Sequence, residues 1–397
     1  MKKHWSLFLC IYFFITAFLP AYVSAESPPE IRLELSAPSA VLMEPETGTV
    51  IYEKDKDTRR SPASITKIMT LLLIFENLDA GKLKPDDIVT TSAYAKSMGG
   101  SQVFLEEGET QTVETMIKCI IVASGNDASV AMAEHISGSE EAFVQQMNQK
   151  AVSLNMKNTH FTDCCGLTDS DDHYTTAYDI SLMSRELIAK HPKVLDYSTI
   201  WMENITHVTR QGSKEFVLTN TNKLLRTYKG CAGLKTGSTS KAGFCISAVA
   251  KRNGISLISV VMAAPDYKAR LKDAAAMLDY GFERCSLYTD NTPPPLPVIP
   301  VKGGIEEKAN LKYQGTFRFL FTDGTSSSDI RKKLKLPENI SAPVKKNQSA
   351  GELVYYSGNR KLGSLPVIFE KSIRKSTCQD CILRTWRVFL GNAQASF

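Results

Sequence analysis

The chain has 397 residues, 43% hydrophobic and 22% charged, with a formal net charge of +5. The length exceeds one ordinary domain and predicts roughly two or three. The composition is that of a globular protein with a sizeable core, which excludes a disordered or fibrous chain, and the charge is too mild to call for nucleic acid.

The N-terminus reads as an export leader. Lys2 and Lys3 supply a positive start, "LFLCIYFFITAFL" an apolar stretch, and Val23 to Ala25 small residues for cleavage, so residues 1–25 are expected to be a signal peptide. The apolar run is shorter than the ~20 residues of a spanning helix. No second such run follows, so the mature protein is expected to work outside the cytoplasmic membrane of a bacterium.

Ala40 to Met43 and Thr49 to Glu53 flank the turn-forming "EPETG" and predict a hairpin. "SPASITKIMT", residues 61–70, then opens a helix, with Ser61 as N-cap and Pro62 at the first helical position. Ile68, Met69, Leu71, Leu72, Leu73 and Phe75 cover most of its surface, which predicts burial nearly all round. Ser64 falls in the first turn, with Lys67 on the same face. A first-turn N–H has no intrahelical partner, and the helix dipole favours negative charge there.

From about residue 85 to 230 the pattern is mainly helical, with long polar connections. "TVETMIKCIIVAS", "SEEAFVQQMNQKAVSLNM" and "TAYDISLMSRELIAKH" repeat apolar residues at helical spacing. After Cys231 the pattern changes to three consecutive strands, the last two joined at Arg252 to Gly254, and then a helix, "YKARLKDAAAMLDYGF". Strands at both ends of this segment imply one sheet with helices packed on it.

"DNTPPPLPVIP" is a linker, and residues 300–370 read as a small β domain. In the tail, Ile382, Trp386, Phe389 and Leu390 share a helical face while Arg384 and Arg387 point elsewhere. Two readings stand: an interfacial helix on an anionic membrane, or a helix packed on its own domain.

Of the cysteines, Cys10 lies in the leader, and Cys119 and Cys245 read as buried small hydrophobes. Cys378 and Cys381 form a lone C-x-x-C with no second pair or nearby histidine to complete a zinc site and no thioredoxin-like context. They are expected to be a local disulfide or free thiols. No metal or cofactor motif is read.

Three motifs carry chemistry. Ser64-x-x-Lys67 alone is weak evidence. "SGN", Ser124 to Asn126, sits where two helical patterns meet, and "KTG", Lys235 to Gly237, opens the three-strand run. In this order and context the trio matches class A β-lactamases and penicillin-binding proteins. No serine sits in a G-x-S-x-G elbow, and His160 and His173 lie in polar segments, which argues against a histidine-dependent hydrolase.

From near residue 37 to the tail, the chain resembles the D-alanyl-D-alanine carboxypeptidase family of low-molecular-weight penicillin-binding proteins. The resemblance rests on "SPASITKIMT", "ASGNDASVAMAEHISGS", "GLTDSDDHYTTAYDIS", "GLKTGSTSKAG", "PDYKARLKDAAAMLDYGF" and, further on, "APVKKNQSAGELVYYSGN". Within the family it resembles the sporulation-associated enzymes of Gram-positive bacteria. The resemblance implies an α+β serine-transferase domain, residues 26–290, with an antiparallel sheet and a helical subdomain. A small all-β domain, 291–370, and an amphipathic tail, 371–397, follow. It also implies a substrate, peptidoglycan stem peptides ending in D-Ala-D-Ala, and covalent inhibition by β-lactams.

The chemistry asks for a nucleophile, a base, an oxyanion hole and a carboxylate anchor. Ser64 is the expected nucleophile and Lys67 its base, made neutral for part of the cycle by burial and by a second cation, Lys235. Lys235 also attracts the terminal carboxylate. Ser124 relays a proton towards the leaving D-Ala, and Asn126 holds Lys67 and the substrate amide. The resemblance adds the backbone N–H of Ser238 as second oxyanion donor and Thr236 of the Thr236–Gly237 pair as carboxylate ligand. Arg270, in "KARLKD", is a second carboxylate anchor or a surface charge.

Three rivals are set against this. A class A β-lactamase needs a glutamate after the second motif, and "HFTDCCGLTDSDDHYTT" has none. A transpeptidase differs only in using an amine as acceptor. A wall-binding protein with an inactive pocket would not need every chemical role filled.

Overall fold

A computed structural model describes residues 33–209, 212–325 and 329–394, without the side chains of residues 387 and 389–394. The expected leader, residues 1–25, lies outside the described residues.

β1 (Ser39–Glu44) and β2 (Thr49–Lys54) pair as the expected hairpin. The helix that follows, α1 (Lys67–Asp79), starts later than expected. Ser61 and Pro62 do not open it, because a 3₁₀ turn, Ala63–Thr66, comes between. Ala63 has φ 48°, a left-handed value that no α-helix accepts. Beyond that turn α1 is buried continuously from Lys67 to Phe75, as its all-round apolar sequence predicts.

The next helices are α2 (Val113–Ile121), α3 (Asn126–Ser137), α4 (Glu140–Ser153) and α5 (Ala177–Lys190). The side chains of Thr112, Ser139 and Thr176 cap α2, α4 and α5 by accepting a first-turn N–H. The helical expectation fails at β3 (Met202–Thr209) and β4 (Gly212–Thr219), a long antiparallel hairpin. "ITHVT" alternates there, with Ile205 and His207 buried and their neighbours exposed. That period of two, rich in β-branched residues, is a strand signal.

β5 (Cys231–Thr239), β6 (Gly243–Arg252), β7 (Ile255–Ala264) and α6 (Tyr267–Arg284) follow as expected. The sheet order is β2-β1-β7-β6-β5, all antiparallel, so both ends of the segment build one sheet. β1 is buried at every position because both sheet faces are covered. Val41, Met43, Ile258, Val260 and Met262 pack with α1 and α5. Leu42 and Leu257 face the other way, against Gly281 of α6. Each such fully buried side chain stabilises the fold by about 1.5–3 kcal/mol.

The C-terminal region is all-β, with a four-stranded sheet ordered Leu311–Tyr313, Arg360–Phe369, Ser349–Ser357, Ile330–Lys335. Ser286–Thr289 pairs with Arg318–Phe321, so this strand precedes the boundary expected at 290 while its partner lies beyond it. Residues 290–298 carry no helix or strand, as the prolines predict. They are anchored at buried Asp290, which accepts from Tyr355 Oη (2.7 Å), Lys332 Nζ (2.7 Å) and the Thr292 N–H (3.1 Å). Phe317 stacks flat on Tyr355 at 3.6 Å.

The tail forms α7 (Cys378–Gln394). Arg384 reaches back to Glu307 (2.6 Å) and the Ile305 carbonyl (2.7 Å), while Ile382, Leu383, Trp386 and Val388 stay more than half exposed. No helix of the described residues is long and apolar enough to cross a membrane. Cys119 and Cys245 are buried thiols, and Cys378 and Cys381 are exposed free thiols.

Asp290→Ala should strand Lys332 and Tyr355 and lower stability by roughly 2–3 kcal/mol. Urea denaturation followed by tyrosine fluorescence measures it. An unchanged midpoint would show that the linker anchor carries no stability.

Candidate active site

Three separate segments meet at one cleft. The first is the 3₁₀ turn into α1. Residues three apart are eclipsed in a 3₁₀ turn, so Ser64 stands over Lys67 and Lys67 Nζ lies 3.1 Å from Ser64 Oγ. The turn is held by two close backbone approaches. A Cβ on Gly237 would lie 2.8 Å from the Ser64 nitrogen, and one on Gly166 would fall 1.8 Å from the Ala63 carbonyl oxygen. Only glycine permits either contact.

The second segment joins α2 to α3. Ser124 has φ 63°, a left-handed conformation uncommon outside glycine, and its Oγ accepts from Lys235 Nζ at 2.8 Å. Asn126 opens α3, and its Oδ1 accepts from Lys67 Nζ at 2.6 Å. Its backbone N–H and Nδ2 donate to the carbonyls of Ser101 and Gly99, which fixes the amide orientation.

The third is β5, whose burial covers Gly233 to Gly237 and ends at exposed Ser238. Lys235 Nζ donates to Ser124 Oγ and the Thr236 carbonyl, and Thr236 Oγ1 donates to Thr221 Oγ1 at 2.7 Å. Arg270 is not a surface charge. It is 7% exposed, with Nη1 near the Gly237 and Cys245 carbonyls (3.4 and 3.3 Å), and its Nε has no partner among the described residues. The cleft therefore gathers Ser64, Lys67, Ser124, Asn126, Lys235 and Thr236, with Gly237 packed against the turn and Arg270 at the Gly237 and Cys245 carbonyls.

The two lysines differ in their surroundings. Lys67 is fully buried, and its three donors meet three acceptors: Ser64 Oγ, Asn126 Oδ1 and the Cys165 carbonyl. Burial lowers its pKa, opposed by nearby Cys165, Cys164, Asp163 and Asp127. Lys235 finds two acceptors among the described residues. Its pKa is lowered well below the usual value by burial, then by repulsion from Lys67 and Arg270. The cation expected to depress Lys67 is thus itself the more depressed of the two.

Several supporting groups had little sequence signal. The Cys165 carbonyl is a main-chain group, which no side-chain motif advertises. Thr221 sits in an ordinary "TNTN" stretch. His173 was read as lying in a polar segment, yet it is 1% exposed. Its Nδ1 accepts the Thr162 N–H (3.0 Å), so Nε2 carries the proton and donates to Thr66 Oγ1 (2.8 Å), which in turn donates to the Ala63 carbonyl. Burial lowers the His173 pKa and favours this neutral form. Burial alone would raise the pKa of Asp163, but His173 and the N–H groups of Thr168, Gly166 and Cys165 outweigh it and hold the carboxyl low.

The chain matches the family model described as D-alanyl-D-alanine carboxypeptidase over residues 22–266, and the penicillin-binding protein 5 C-terminal domain over 282–375. It is 41% identical to the D-alanyl-D-alanine carboxypeptidase DacF of Bacillus subtilis, across 97% of this chain and 98% of that one. It is 29% identical in sequence to the solved penicillin binding protein 5 of Haemophilus influenzae, with a TM-score of 0.68 over 88% of this chain and 99% of that one. A mutant of the DD-transpeptidase of Streptomyces K15 is 30% identical, with a TM-score of 0.59, over 63% of this chain and 99% of that one.

Gly237→Ala should push the Ser64 turn away from β5 and cut the rate of labelling by a fluorescent penicillin about 100-fold, since small misplacements of reacting groups are costly. Labelling at the normal rate would show that the close approach is not needed.

Proposed function

The chain belongs to the D-alanyl-D-alanine carboxypeptidase family, and on that premise we propose which of its residues perform the reaction. It is a serine-type enzyme that removes the terminal D-alanine from peptidoglycan stem peptides. In our reading, Ser64 Oγ attacks the carbonyl of the penultimate D-Ala. Neutral Lys67 takes the hydroxyl proton on its lone pair while its two N–H groups stay on Asn126 and the Cys165 carbonyl. The oxyanion is met by the N–H groups of Ser64 and Ser238. Ser124 relays a proton to the leaving nitrogen. Lys235, Thr236 and Arg270 hold the terminal carboxylate. Water then attacks the acyl-serine with Lys67 again as base.

One observation carries this reading: Lys67 Nζ bonds Ser64 Oγ and Asn126 Oδ1 while Lys235 Nζ bonds Ser124 Oγ, so the three motifs interlock through two lysine nitrogens. A β-lactamase is disfavoured because residues 160–176 hold no glutamate and Asp163 is occupied by backbone N–H groups. A β-lactam adduct should therefore persist. The likeness to a DD-transpeptidase keeps one partition open to measurement, water against amine as acceptor.

We further propose residues 26–290 as the catalytic domain, 291–370 as the β domain and 371–397 as a membrane-associating tail. The exposed Ile382, Leu383, Trp386 and Val388 on α7 support the last of these. With the leader removed, the enzyme would sit on the outer face of a Gram-positive cytoplasmic membrane, and its deployment in sporulation belongs to the same proposal.

Ser64→Ala should abolish penicillin labelling. Lys67→Ala and Lys235→Ala should each lower D-Ala release from a pentapeptide by roughly 10³-fold, and ordinary turnover would remove that lysine from the mechanism. The lowered pKa of Lys67 fixes a sign. The amine is neutral above its folded pKa, so the acylation rate should rise with pH through that value and fall as acid protonates it; a flat pH profile contradicts the role. Deleting 371–397 should release active enzyme to the soluble fraction, and retention on membranes would defeat the tail assignment.

A further inference from the structure

The loop from Asp163 to Thr168 folds around a single carboxylate. Asp163 Oδ1 accepts the N–H groups of Cys165 (2.8 Å) and Gly166, and Oδ2 accepts the N–H of Thr168 (2.9 Å). No lysine or arginine pairs with Asp163 among the described residues, although its side chain is only 15% exposed. Main-chain donors hold this carboxylate.

The other ends of the same peptide groups face α1. The Cys165–Gly166 peptide donates its N–H to Asp163, and its carbonyl accepts from Lys67 Nζ at 2.7 Å. The Cys164–Cys165 peptide also donates its N–H to Asp163, and its carbonyl accepts from Thr70 Oγ1 at 2.5 Å. Two peptide groups therefore link one carboxylate to one helix. Gly166 also walls the Ser64 turn, since a Cβ there would fall 1.8 Å from the Ala63 carbonyl oxygen. Hydrogen bonds in such a series polarise one another, so an anion on the N–H makes the carbonyl of that peptide a stronger acceptor. Lys235 has no such link; its acceptors are Ser124 Oγ and the Thr236 carbonyl.

We propose that Asp163 is the positioning residue of the base, which rests on the function proposed above. Its carboxylate acts through the Cys165–Gly166 peptide to aim an acceptor at Lys67 Nζ and to set how tightly that nitrogen holds a proton. A base with burial acting alone is neutral but weak, and proton transfer is fastest from a base that keeps some affinity for the proton. Asp163 supplies that affinity at one remove, so the lone pair of neutral Lys67 stays directed at Ser64.

Other charged or titratable groups surround the pair. Cys164 and Cys165 from the loop, Asp127 from α3 and Lys235 from β5 all act on Lys67. Asp127 accepts the N–H groups of Val103, Leu105 and Ala128, none of which belongs to a peptide that bonds Lys67. Glu140 of α4 accepts the Cys164 N–H, and His173 Nδ1 stands 4.0 Å from Asp163 Oδ2.

The test is the pH profile of Ser64 acylation by a fluorescent penicillin in the unaltered enzyme, Asp163→Asn and Asp163→Ala. Asparagine keeps an oxygen for the Cys165 and Gly166 N–H groups and removes the charge. Its acid limb should move to lower pH. At the pH where the unaltered enzyme runs at half its plateau rate, Asp163→Asn should run at roughly nine-tenths of its own plateau. Asp163→Ala removes the acceptors as well and should lower the plateau roughly 100-fold. A limb that stays in place or moves to higher pH in Asp163→Asn overturns the inference, because an aspartate that only shapes the loop would not displace it downward. The same comparison in a His173→Gln background separates the imidazole. The shift should persist there, and its disappearance would assign the limb to His173 and overturn the inference. A flat profile in the unaltered enzyme would instead overturn Lys67 as the base, the function on which the inference rests.

Discussion

Two lysine side chains are buried in one cleft of this molecule, and the rest of the site is arranged around the cost of charging them. Lys67 and Lys235 are 0% and 1% exposed, and each bonds only hydroxyl, amide or carbonyl oxygen. Desolvating a charge without a carboxylate partner costs several kcal/mol. Proteins meet such a cost by neutralising the group, which on the proposed reading is what Lys67 needs to act as a base. The depressed pKa is therefore a product of packing, and the packing that creates it must be rigid.

That rigidity explains the unusual backbone. The left-handed Ala63 and Ser124, and the glycines at 166 and 237, lie around the cleft. The two glycines let main chain approach main chain, Gly166 at the Ala63 carbonyl and Gly237 at the Ser64 nitrogen. Strain of about 1–3 kcal/mol at each left-handed residue is sustained because a two-sided core over-determines the scaffold. The His173–Thr66–Ala63 chain belongs to the same device, since it fixes the Ala63 carbonyl in the Ser64 turn with a neutral imidazole.

What was legible in the sequence follows from this division. The motif side chains were legible, because chemistry restricts residue type and the three-strand run and helix starts restrict context. The sheet from both chain ends and the all-β C-terminal region were legible from period and prolines. The helix start at Ser61 was misread because a cap and a proline describe local preference, while the 3₁₀ turn is imposed by Gly166 and Gly237 from far along the chain. The hairpin at 202–219 was missed although its alternation was present, because the surrounding stretch is helical. The Cys165 carbonyl and the burial of His173 had no local signature. Polar neighbours do not imply exposure when a loop folds over a helix start.

The asymmetry between the two lysines bears on how substrate is recognised. Lys67 has the carboxylates of Asp163 and Asp127 near enough to offset part of its burial. Lys235 has no such help; the charged groups that act on it are Lys67 and Arg270, both cations. A buried lysine on which only other cations act is completed by an anion from outside. On the proposed reading that anion is the free carboxylate of the terminal D-alanine. Its arrival would stabilise Lys235 as a cation, and Lys235 in turn would keep Lys67 from protonating, so binding the correct end of the peptide also maintains the base. On that reading, recognition of a free C-terminus and activation of Ser64 are one electrostatic event, carried by the repulsion between the two buried lysines.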